Sequence, residues 1–406
     1  MRRLYFSVLL ASLFAGSAHA DFTIPGFELV HTSPVETTLA NPDLREPVLV
    51  WSELFEGAKS EIVIAQFYAV SKPGTAFEKV LASLTAAGQR GVKIRFLLDQ
   101  KGVGLSEAST IARLKAIPNL DLRIIDFNKV TGNGIVHAKY LAVDGKAAYV
   151  GSQNFDWRSF EHIHETGLKI SEPAMVAQIQ AIFEQDWQAQ ALTAKGERAT
   201  VRNTGEVAAN YAQNTFLLAS PNAYNPPGVG DSQTGLPALL AQAKSEVRIQ
   251  LLDYAPLSYG PNRTRPYYAV IDDAVRTAAT RGVKIKLMVS NWNTEAPAIA
   301  YLKSLALVPN VEIRIVTLPV ASTGFIPFAR VIHSKTMSID GKLAWVGTSN
   351  WAGGYLDLSR NLEVVLRNEQ MAQRIAALHE QTWNSPYAQP IDINRQYPKP
   401  AKGTPE

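Results

Sequence analysis

The chain has 406 residues, of which 46% are hydrophobic, so it is long enough to build two ordinary domain cores. Its formal net charge of +4 is a modest basic excess, which gives only weak support for a polyanionic partner. The sequence contains no cysteine, which excludes a disulfide framework and a lipid-modified N-terminal cysteine.

Residues 1–20 have the pattern of a cleaved secretory signal. Arg2 and Arg3 precede an apolar run that ends near Ala15, and residues 18–20 form a small-x-small cleavage site. The apolar run is shorter than the roughly 20 residues that cross a bilayer. We therefore predict an exported protein, periplasmic or secreted, whose mature chain begins at Asp21.

The remaining chain consists of two similar halves. Each half has the pattern strand, helix, strand, helix, strand, hairpin, strand, helix, and four segments of the first half return in the second: residues 58–61 at 243–246, 90–98 at 281–289, 117–125 at 308–316, and 181–187 at 377–383. This alternation predicts the α/β class, with one α/β/α sandwich at 21–200 and another at 201–390. The proline-rich tail, 391–406, has little to bury and is predicted to be flexible.

Each half also contains one copy of a motif, H-x-K-x4-D-x6-G-[ST]-x-N. Residues 137–154 carry the first copy and residues 333–350 the second, offset by 196. Asp-Gly between two β-type runs predicts a hairpin with a two-residue loop, so Asp144 and Asp340 are predicted to be structural turn residues. In that register His137 lies opposite Ser152, and the hairpin gathers four side chains on one face. The two predicted clusters are His137, Lys139, Ser152 and Asn154, and His333, Lys335, Thr348 and Asn350.

These clusters suit an anionic, oxygen-rich group. Lysine supplies a positive charge, serine and asparagine supply neutral donors, and histidine can donate, accept or attack. The paired strings are the signature of the phospholipase D superfamily. Within it, the chain resembles the endolysosomal phospholipase-D-like exonucleases of animals over roughly residues 28–390, in segments that include FDWRS (155–159), GTSNWAGGY (347–355) and WNSPYAQ (383–389). One departure is the complete absence of cysteine, since the animal proteins have disulfides.

The resemblance implies that the two halves pack about a pseudo-twofold axis and form one active site. It implies double displacement through a phosphohistidine, with His137 as our choice of nucleophile and His333 as general acid and base. Lys139, Lys335, Asn154 and Asn350 would stabilise the phosphoryl oxygens. Ser152 and Thr348 are expected to bind substrate or to orient the histidines. Glu165 and Glu363 match the carboxylates that the family uses to hold the histidines. No metal or cofactor is expected.

The substrate stays open between two classes at this point. Single-stranded nucleic acid, attacked from an end, is slightly favoured because the resemblance covers nearly the whole chain. Phospholipid headgroups are the alternative, for a phospholipase D or phosphatidyltransferase. A non-catalytic binder of phosphorylated ligands is disfavoured, because neither half has lost its histidine, lysine or asparagine. A monomer is expected to hold a complete site, and a homodimer is compatible with the same sequence.

Overall fold

The computed structural model describes residues 21–199, 210–259 and 264–403. The predicted signal segment and the boundary at residue 200 lie outside these ranges. Within the described part of the chain, no helix is long and apolar enough to cross a membrane.

The first half forms a mixed sheet with helices on both faces. Its strands are β1 (Thr23–Ile24), β2 (Phe27–Thr32), β3 (Glu61–Gln66), β4 (Ala69–Val70), β5 (Lys93–Asp99), β6 (Leu120–Ile125), β7 (Tyr140–Val143), β8 (Ala147–Gly151), β9 (Phe155–Asp156) and β10 (Glu165–Ile170). Its helices are α1 (Pro47–Gly57), α2 (Phe77–Gln89), α3 (Gln100–Val103), α4 (Ala108–Lys115), α5 (Asn128–Thr131), α6 (Arg158–Glu161) and α7 (Pro173–Ala194). The main sheet has the order β1-β2-β10-β8-β7-β3-β5-β6.

The second half repeats this arrangement. Its strands are β11 (Thr215–Ser220), β12 (Gly230–Asp231), β13 (Glu246–Leu251), β14 (Tyr254–Ala255), β15 (Lys284–Ser290), β16 (Val311–Val316), β17 (Thr336–Ile339), β18 (Leu343–Gly347), β19 (Trp351–Ala352), β20 (Asn361–Leu366) and β21 (Ala388–Pro390). Its helices are α8 (Ser232–Gln242), α9 (Ala269–Thr280), α10 (Ala298–Ala306) and α11 (Glu369–Trp383). The main sheet has the order β12-β11-β20-β18-β17-β13-β15-β16-β21.

The two sheets share a central helical layer. Strand β3 alternates its side chains, so that Ile62 and Ile64 pack outward beneath α1 and α2. Val63 and Ala65 pack inward, into one buried cluster that also contains residues of α7, α11, β18 and β20. The predicted class is therefore confirmed: two tandem α/β/α units face each other, with α7 and α11 between their sheets.

The motif hairpins differ from the prediction in their loops. Val143 pairs with Ala147 and Ile339 with Leu343, so each connection has three residues and not two. Asp144 has a φ of 54° and Gly145 a φ of 62°, and the extra residue in each loop is a lysine. The predicted pairing of His137 with Ser152 is consequently wrong by one residue, because the third loop residue shifts the register of the two strands.

The C-terminal tail also differs from the prediction. Ile391 and Tyr397 pack against the core of the second half. The backbone N–H of Ile391 donates to the carbonyl of Ile313 at 2.9 Å, which continues the pairing of β21 with β16. Most of residues 391–403 are exposed, and Ile391 and Tyr397 supply the apolar contacts that the prediction did not include.

Candidate active site

Each motif histidine is held through its backbone by the opposite half of the chain. The N–H groups of His137 and Ala138 donate to the carbonyl of Arg360 at 3.0 and 2.8 Å. The N–H of His333 donates to the carbonyl of His164 at 2.8 Å. His164 and Arg360 are themselves 196 residues apart, so the two contacts are related by the internal repeat. The two histidines therefore meet where the halves join.

The imidazole rings are held in the same reciprocal way. Nδ1 of His333 lies 2.8 Å from Oε2 of Glu165, and Nδ1 of His137 lies 3.0 Å from Oδ1 of Asn361. The amide of Asn361 is oriented because its Nδ2 donates to the carbonyl of Tyr355 at 2.8 Å. Each Nδ1 therefore carries its proton, which leaves Nε2 of both rings with a lone pair.

Glu363 does not hold a histidine, contrary to the prediction. Its carboxylate accepts hydrogen bonds from the Ser349 hydroxyl and from Nε1 of Trp345. Burial raises the pKa of Glu363 to about 7. The repeat offset of 196 relates Glu165 to Asn361, whereas Glu363 corresponds to Gly167, where Tyr149 fills the equivalent space. The residue that sequence reasoning missed, Asn361, was thus indicated by the same offset.

Ser152 and Thr348 support the groups that hold the histidines. Both are fully buried. The Thr348 hydroxyl donates to Oδ1 of Asn361 at 2.9 Å. The Ser152 hydroxyl donates to the carbonyl of Thr166 at 3.2 Å and accepts from the N–H of Thr166 at 3.0 Å, next to Glu165. Their hydroxyls are therefore engaged behind the histidines, and the predicted substrate-binding role is wrong for both, whereas the orienting role fits the geometry.

The two motif lysines are buried beside the histidines. Nζ of Lys139 donates to the carbonyl of His137, and Nζ of Lys335 donates to that of His333. Burial lowers the pKa of Lys335 to about 7. Burial, followed by the charge of Lys335, lowers the pKa of Lys139 well below its usual range. Because the two ammonium groups repel each other here, a bound anion between them would stabilise the charged form of both.

The histidines have lowered pKa values, mainly because they are buried. Burial lowers the pKa of His333 to about 4, although the charge of Glu165 raises it. The pKa of His137 is well below its usual value through burial and through the charges of Lys139 and Lys335. Burial works against ionisation of Glu165, yet His333 and Lys335 still hold the pKa of that carboxyl below its usual range.

One cavity of about 650 Å³ contains both half-sites. It is lined by His137, His333, Asn154 and Asn350, together with Asp253 and a set of aromatic side chains: Phe67, Tyr68, Trp157, Trp292, Phe328 and Tyr355. Asp253 was not singled out from the sequence. Asp253 immediately precedes β14, and Tyr68 immediately precedes the equivalent strand β4. The second half therefore has a carboxylate at the position where the first half has a phenol.

Asp144 and Asp340 lie away from this cavity, in the hairpin turns. The carboxylate of Asp144 accepts hydrogen bonds from the N–H groups of Lys59, Ser60 and Glu61 at 2.8 Å each. Although burial opposes the effect, these bonds and that from the Ser60 hydroxyl lower the pKa of Asp144 to about 2. Asp340 makes the matching contacts with residues 244–246. Both aspartates thus tie the turn to the start of a neighbouring strand.

Comparison with known proteins gives the family. The profile described as "Cardiolipin synthase, PLD-like domain" matches the chain twice, over residues 52–187 and 236–383. The chain belongs to the phospholipase D superfamily. Each match contains one motif hairpin, so both halves are superfamily units, and the protein is a phosphodiesterase of this superfamily.

Similar members of the superfamily carry two kinds of name. Phospholipase D Z of Dictyostelium discoideum is 31% identical over 368 residues, which cover 84% of this chain and 85% of that protein. The 5'-3' exonuclease PLD4 of Mus musculus is 27% identical over 412 residues, covering 91% and 80%. Phosphatidylserine synthase of Haemophilus influenzae has the same fold, with a TM-score of 0.60 at 12% identity over 85% of each chain.

Among the described residues, no group of three or more His, Cys, Asp or Glu side chains is placed to hold a metal ion. The cavity offers two imidazoles and two amides around one space, and the two buried motif lysines lie directly beside the imidazoles. Such a set is chemically able to attack, protonate and neutralise a phosphodiester.

Proposed function

We propose that the protein cleaves phosphodiesters by double displacement, with His137 as nucleophile and His333 as general acid and then general base. The observation that carries this proposal is that two imidazoles, each fixed at Nδ1 by the other half, line one cavity. Fixing Nδ1 aims both Nε2 atoms and sets their tautomer before substrate arrives.

The chemistry follows in two steps. Nε2 of His137 attacks phosphorus and the bond to the leaving ester oxygen breaks. His333, which first takes a proton from solvent at Nε2 to become an imidazolium beside Glu165, protonates that oxygen. A water molecule then loses a proton to Nε2 of His333 and attacks phosphorus, which breaks the phosphorus–nitrogen bond and releases a phosphomonoester. Lys139, Lys335, Asn154 and Asn350 stabilise the charge on the nonbridging oxygens in both steps.

The two Nδ1 partners distinguish the roles of the histidines. A carboxylate stabilises an imidazolium, so Glu165 makes His333 the ring that more readily gains and releases a proton. Asn361 is neutral, so it raises the pKa of His137 only through its hydrogen bond, whereas Lys139 and Lys335 lower the pKa of both histidines. His137 is therefore the ring that stays unprotonated, as a nucleophile must.

We propose single-stranded nucleic acid as the substrate. Trp157, Trp292 and Phe328 present aromatic faces in the cavity, and base stacking on such faces is worth about 1–3 kcal/mol per base. Nζ of Lys72 lies 4.4 Å from the centre of the Trp157 ring, which places a cation beside a stacking surface. A cavity of about 650 Å³ accommodates part of a separated strand and not a duplex.

Phospholipid is a second candidate because of the rim of the cavity. Leu105 and Phe328 line it and are 50% and 44% exposed. Exposed apolar side chains at a cavity mouth are also suited to contact with acyl chains.

The test is to incubate the pure protein, in EDTA, with a 5′-hydroxyl single-stranded oligonucleotide and separately with phosphatidylcholine micelles. Release of mononucleotides supports the proposal, and release of choline or phosphatidic acid from the micelles alone overturns the nucleic-acid substrate. The variants His137→Ala and His333→Ala are the matched controls, because activity that survives in both comes from a contaminant.

We further propose that residues 1–20 are removed on export and that a single chain holds the complete site. N-terminal sequencing of secreted or periplasmic material is expected to begin at Asp21. A protein that still begins at Met1 and sediments with membranes would overturn this part of the proposal. Activity per chain is expected to be independent of protein concentration in the monomer range.

A further inference from the structure

A second, smaller cavity of about 200 Å³ adjoins the active-site cavity. Three residues line both spaces: Asp253, Trp292 and Tyr355. The ring of Tyr355 also packs edge-on against His137, with 4.8 Å between the ring centres. A group that enters the smaller cavity is therefore one side-chain layer away from the proposed nucleophile.

The C-terminal tail forms one wall of this second cavity. The carbonyl of Lys402 accepts a hydrogen bond from the N–H of Phe328 at 2.7 Å, and its Nζ donates to Glu295 at 2.8 Å. The Thr294 hydroxyl donates to the carbonyl of Pro398 at 3.2 Å. These bonds fasten the tail across the second half, so that the side chain of Lys402 lines the cavity.

The charges in the second cavity are balanced. Arg265 and Lys402 contribute positive charges, and Asp253 and Glu295 contribute negative ones. A second phosphate group would meet two carboxylates, and an acyl chain would meet four charged side chains, so both are disfavoured. A neutral group with both hydrogen-bond donors and acceptors suits the lining.

Aromatic side chains form part of the lining of the second cavity. Tyr259 is 46% exposed, and the guanidinium of Arg265 lies 4.4 Å from the centre of its ring. Tyr355 and Trp292 lie on the side that is shared with the active-site cavity. At about 200 Å³ the space is below the range of about 300–1,000 Å³ that holds drug-sized ligands, and it suits a single ring system.

We propose that the second cavity binds one nucleobase of the substrate, beside the phosphate that is cleaved. Tyr259 and Tyr355 provide stacking surfaces, while Arg265, Lys402, Asp253 and Glu295 provide donors and acceptors for the edges of the base. This inference rests on the proposed nucleic-acid substrate and adds a base-reading subsite to it. The subsite is completed by the tail, so residues near 402 contribute to substrate preference.

The experiment uses three dinucleotides: thymidylyl-(3′→5′)-thymidine and two analogues in which an abasic sugar replaces the first or the second nucleoside. For the wild type, removal of the base that occupies the cavity is expected to lower kcat/KM about tenfold. Tyr259→Ala and Lys402→Ala are expected to lower kcat/KM for the complete dinucleotide by a similar factor. The analogue that lacks this base makes no contact with Tyr259 or Lys402. Its kcat/KM should therefore change less than twofold in either variant.

Lys399→Ala is the matched control. Lys399 lies in the same tail and pairs with the same Glu295, at 3.7 Å, but is not part of the cavity lining. The subsite is overturned if Tyr259→Ala lowers kcat/KM equally for all three dinucleotides. It is also overturned if the wild type has the same kcat/KM with and without each base. In both cases the proposed cleavage of nucleic acid remains. A wild type that cleaves no dinucleotide but hydrolyses phosphatidylcholine overturns the proposed substrate, and the subsite with it.

Discussion

His333 and Glu165 belong to opposite halves of the chain, and their Nδ1 and Oε2 atoms lie 2.8 Å apart. The reciprocal contact, from Asn361 to His137, replaces the carboxylate by an amide at 3.0 Å. The duplicated site is therefore symmetric in its backbone and asymmetric in its charge. This asymmetry gives two chemically similar imidazoles different proton affinities, from which the following predictions are drawn.

The activity should fall as the pH rises above the pKa of His333, because the general acid must be protonated. Glu165→Gln removes the charge that raises this pKa, so the basic limb of the kcat/KM profile should move to lower pH. Asn361→Asp should instead move the acidic limb to higher pH, because it makes His137 easier to protonate. The profiles are measured with a dinucleotide over a range that extends from neutral pH to well below the His333 pKa of about 4, so that both limbs are observed. If both variants move the same limb, the two roles are wrongly assigned.

A covalent intermediate should accumulate on His137 when the second step is blocked. His333→Ala removes the base that activates water, whereas a 4-nitrophenyl ester needs no general acid to leave. Rapid quenching followed by peptide mass spectrometry is expected to find phosphorylated His137 in this variant, with turnover reduced at least 100-fold. An adduct on His333 in the His137→Ala variant, with none in the reverse case, would exchange the roles and keep the mechanism.

Removal of divalent metal should not abolish activity. Lys139, Lys335, Asn154 and Asn350 supply the charge stabilisation that Mg²⁺ supplies in other phosphoryl-transfer sites. We expect the rate in excess EDTA to stay within about twofold of the rate without EDTA. Complete loss, restored by a divalent ion, would contradict the proposed site.

The stability of the protein should depend on pH through Glu363. Burial raises its pKa from the usual 4.5 to about 7, so between these values the folded protein holds a proton that the unfolded chain has released. The free energy of unfolding therefore falls as the pH rises through this window, by up to about 3 kcal/mol. Glu363→Gln carries no charge and escapes this loss.

The measurement for Glu363 is the melting temperature of both proteins at pH 4.5 and pH 8. The melting temperature of Glu363→Gln minus that of the wild type should be several degrees larger at pH 8 than at pH 4.5. About 1 kcal/mol corresponds to roughly 2–4 °C in domains of this size. Glu165→Gln is the informative comparison, with melting temperatures measured also below pH 4.5. The folded pKa of Glu165 is lowered, so the wild type gains stability as the pH rises towards 4.5, and the difference, variant minus wild type, should decrease in that range. Parallel behaviour of the two variants would argue against the assigned environments.

The internal repeat made most of this architecture predictable. An offset of 196 residues places both histidines, both lysines and both asparagines in equivalent positions, and hydrophobic alternation gives the sandwich class. The same offset contained the correct partner of His137, Asn361. Matching each histidine to a glutamate that follows it in its own half instead pairs His137 with Glu165 and His333 with Glu363, whereas Glu165 holds His333. Contacts that cross between halves do not follow from local spacing, because they depend on how the two sheets pack.

Other features had no local signal of sufficient strength. Asp-Gly predicts a turn, but the lysine after it adds a third loop residue without changing the hydrophobic pattern. The tail looked polar and rich in proline, whereas Ile391 and Tyr397 find an apolar surface that only the folded second half presents. Asp253 is a lone carboxylate after an apolar strand, and its place in the cavity depends on the approach of Asn350.

The reciprocal backbone clamps limit how the substrate can reach the site. His137 is fastened to the carbonyl of Arg360 and His333 to that of His164, and α7 and α11 are buried together between the sheets. A hinge motion that separated the halves would break both sets of backbone hydrogen bonds and expose that shared core. We therefore infer that the two halves do not separate to admit the middle of a polymer. Entry is then through the mouth of the cavity, so for the proposed single-stranded substrate we expect a long strand to enter from a terminus.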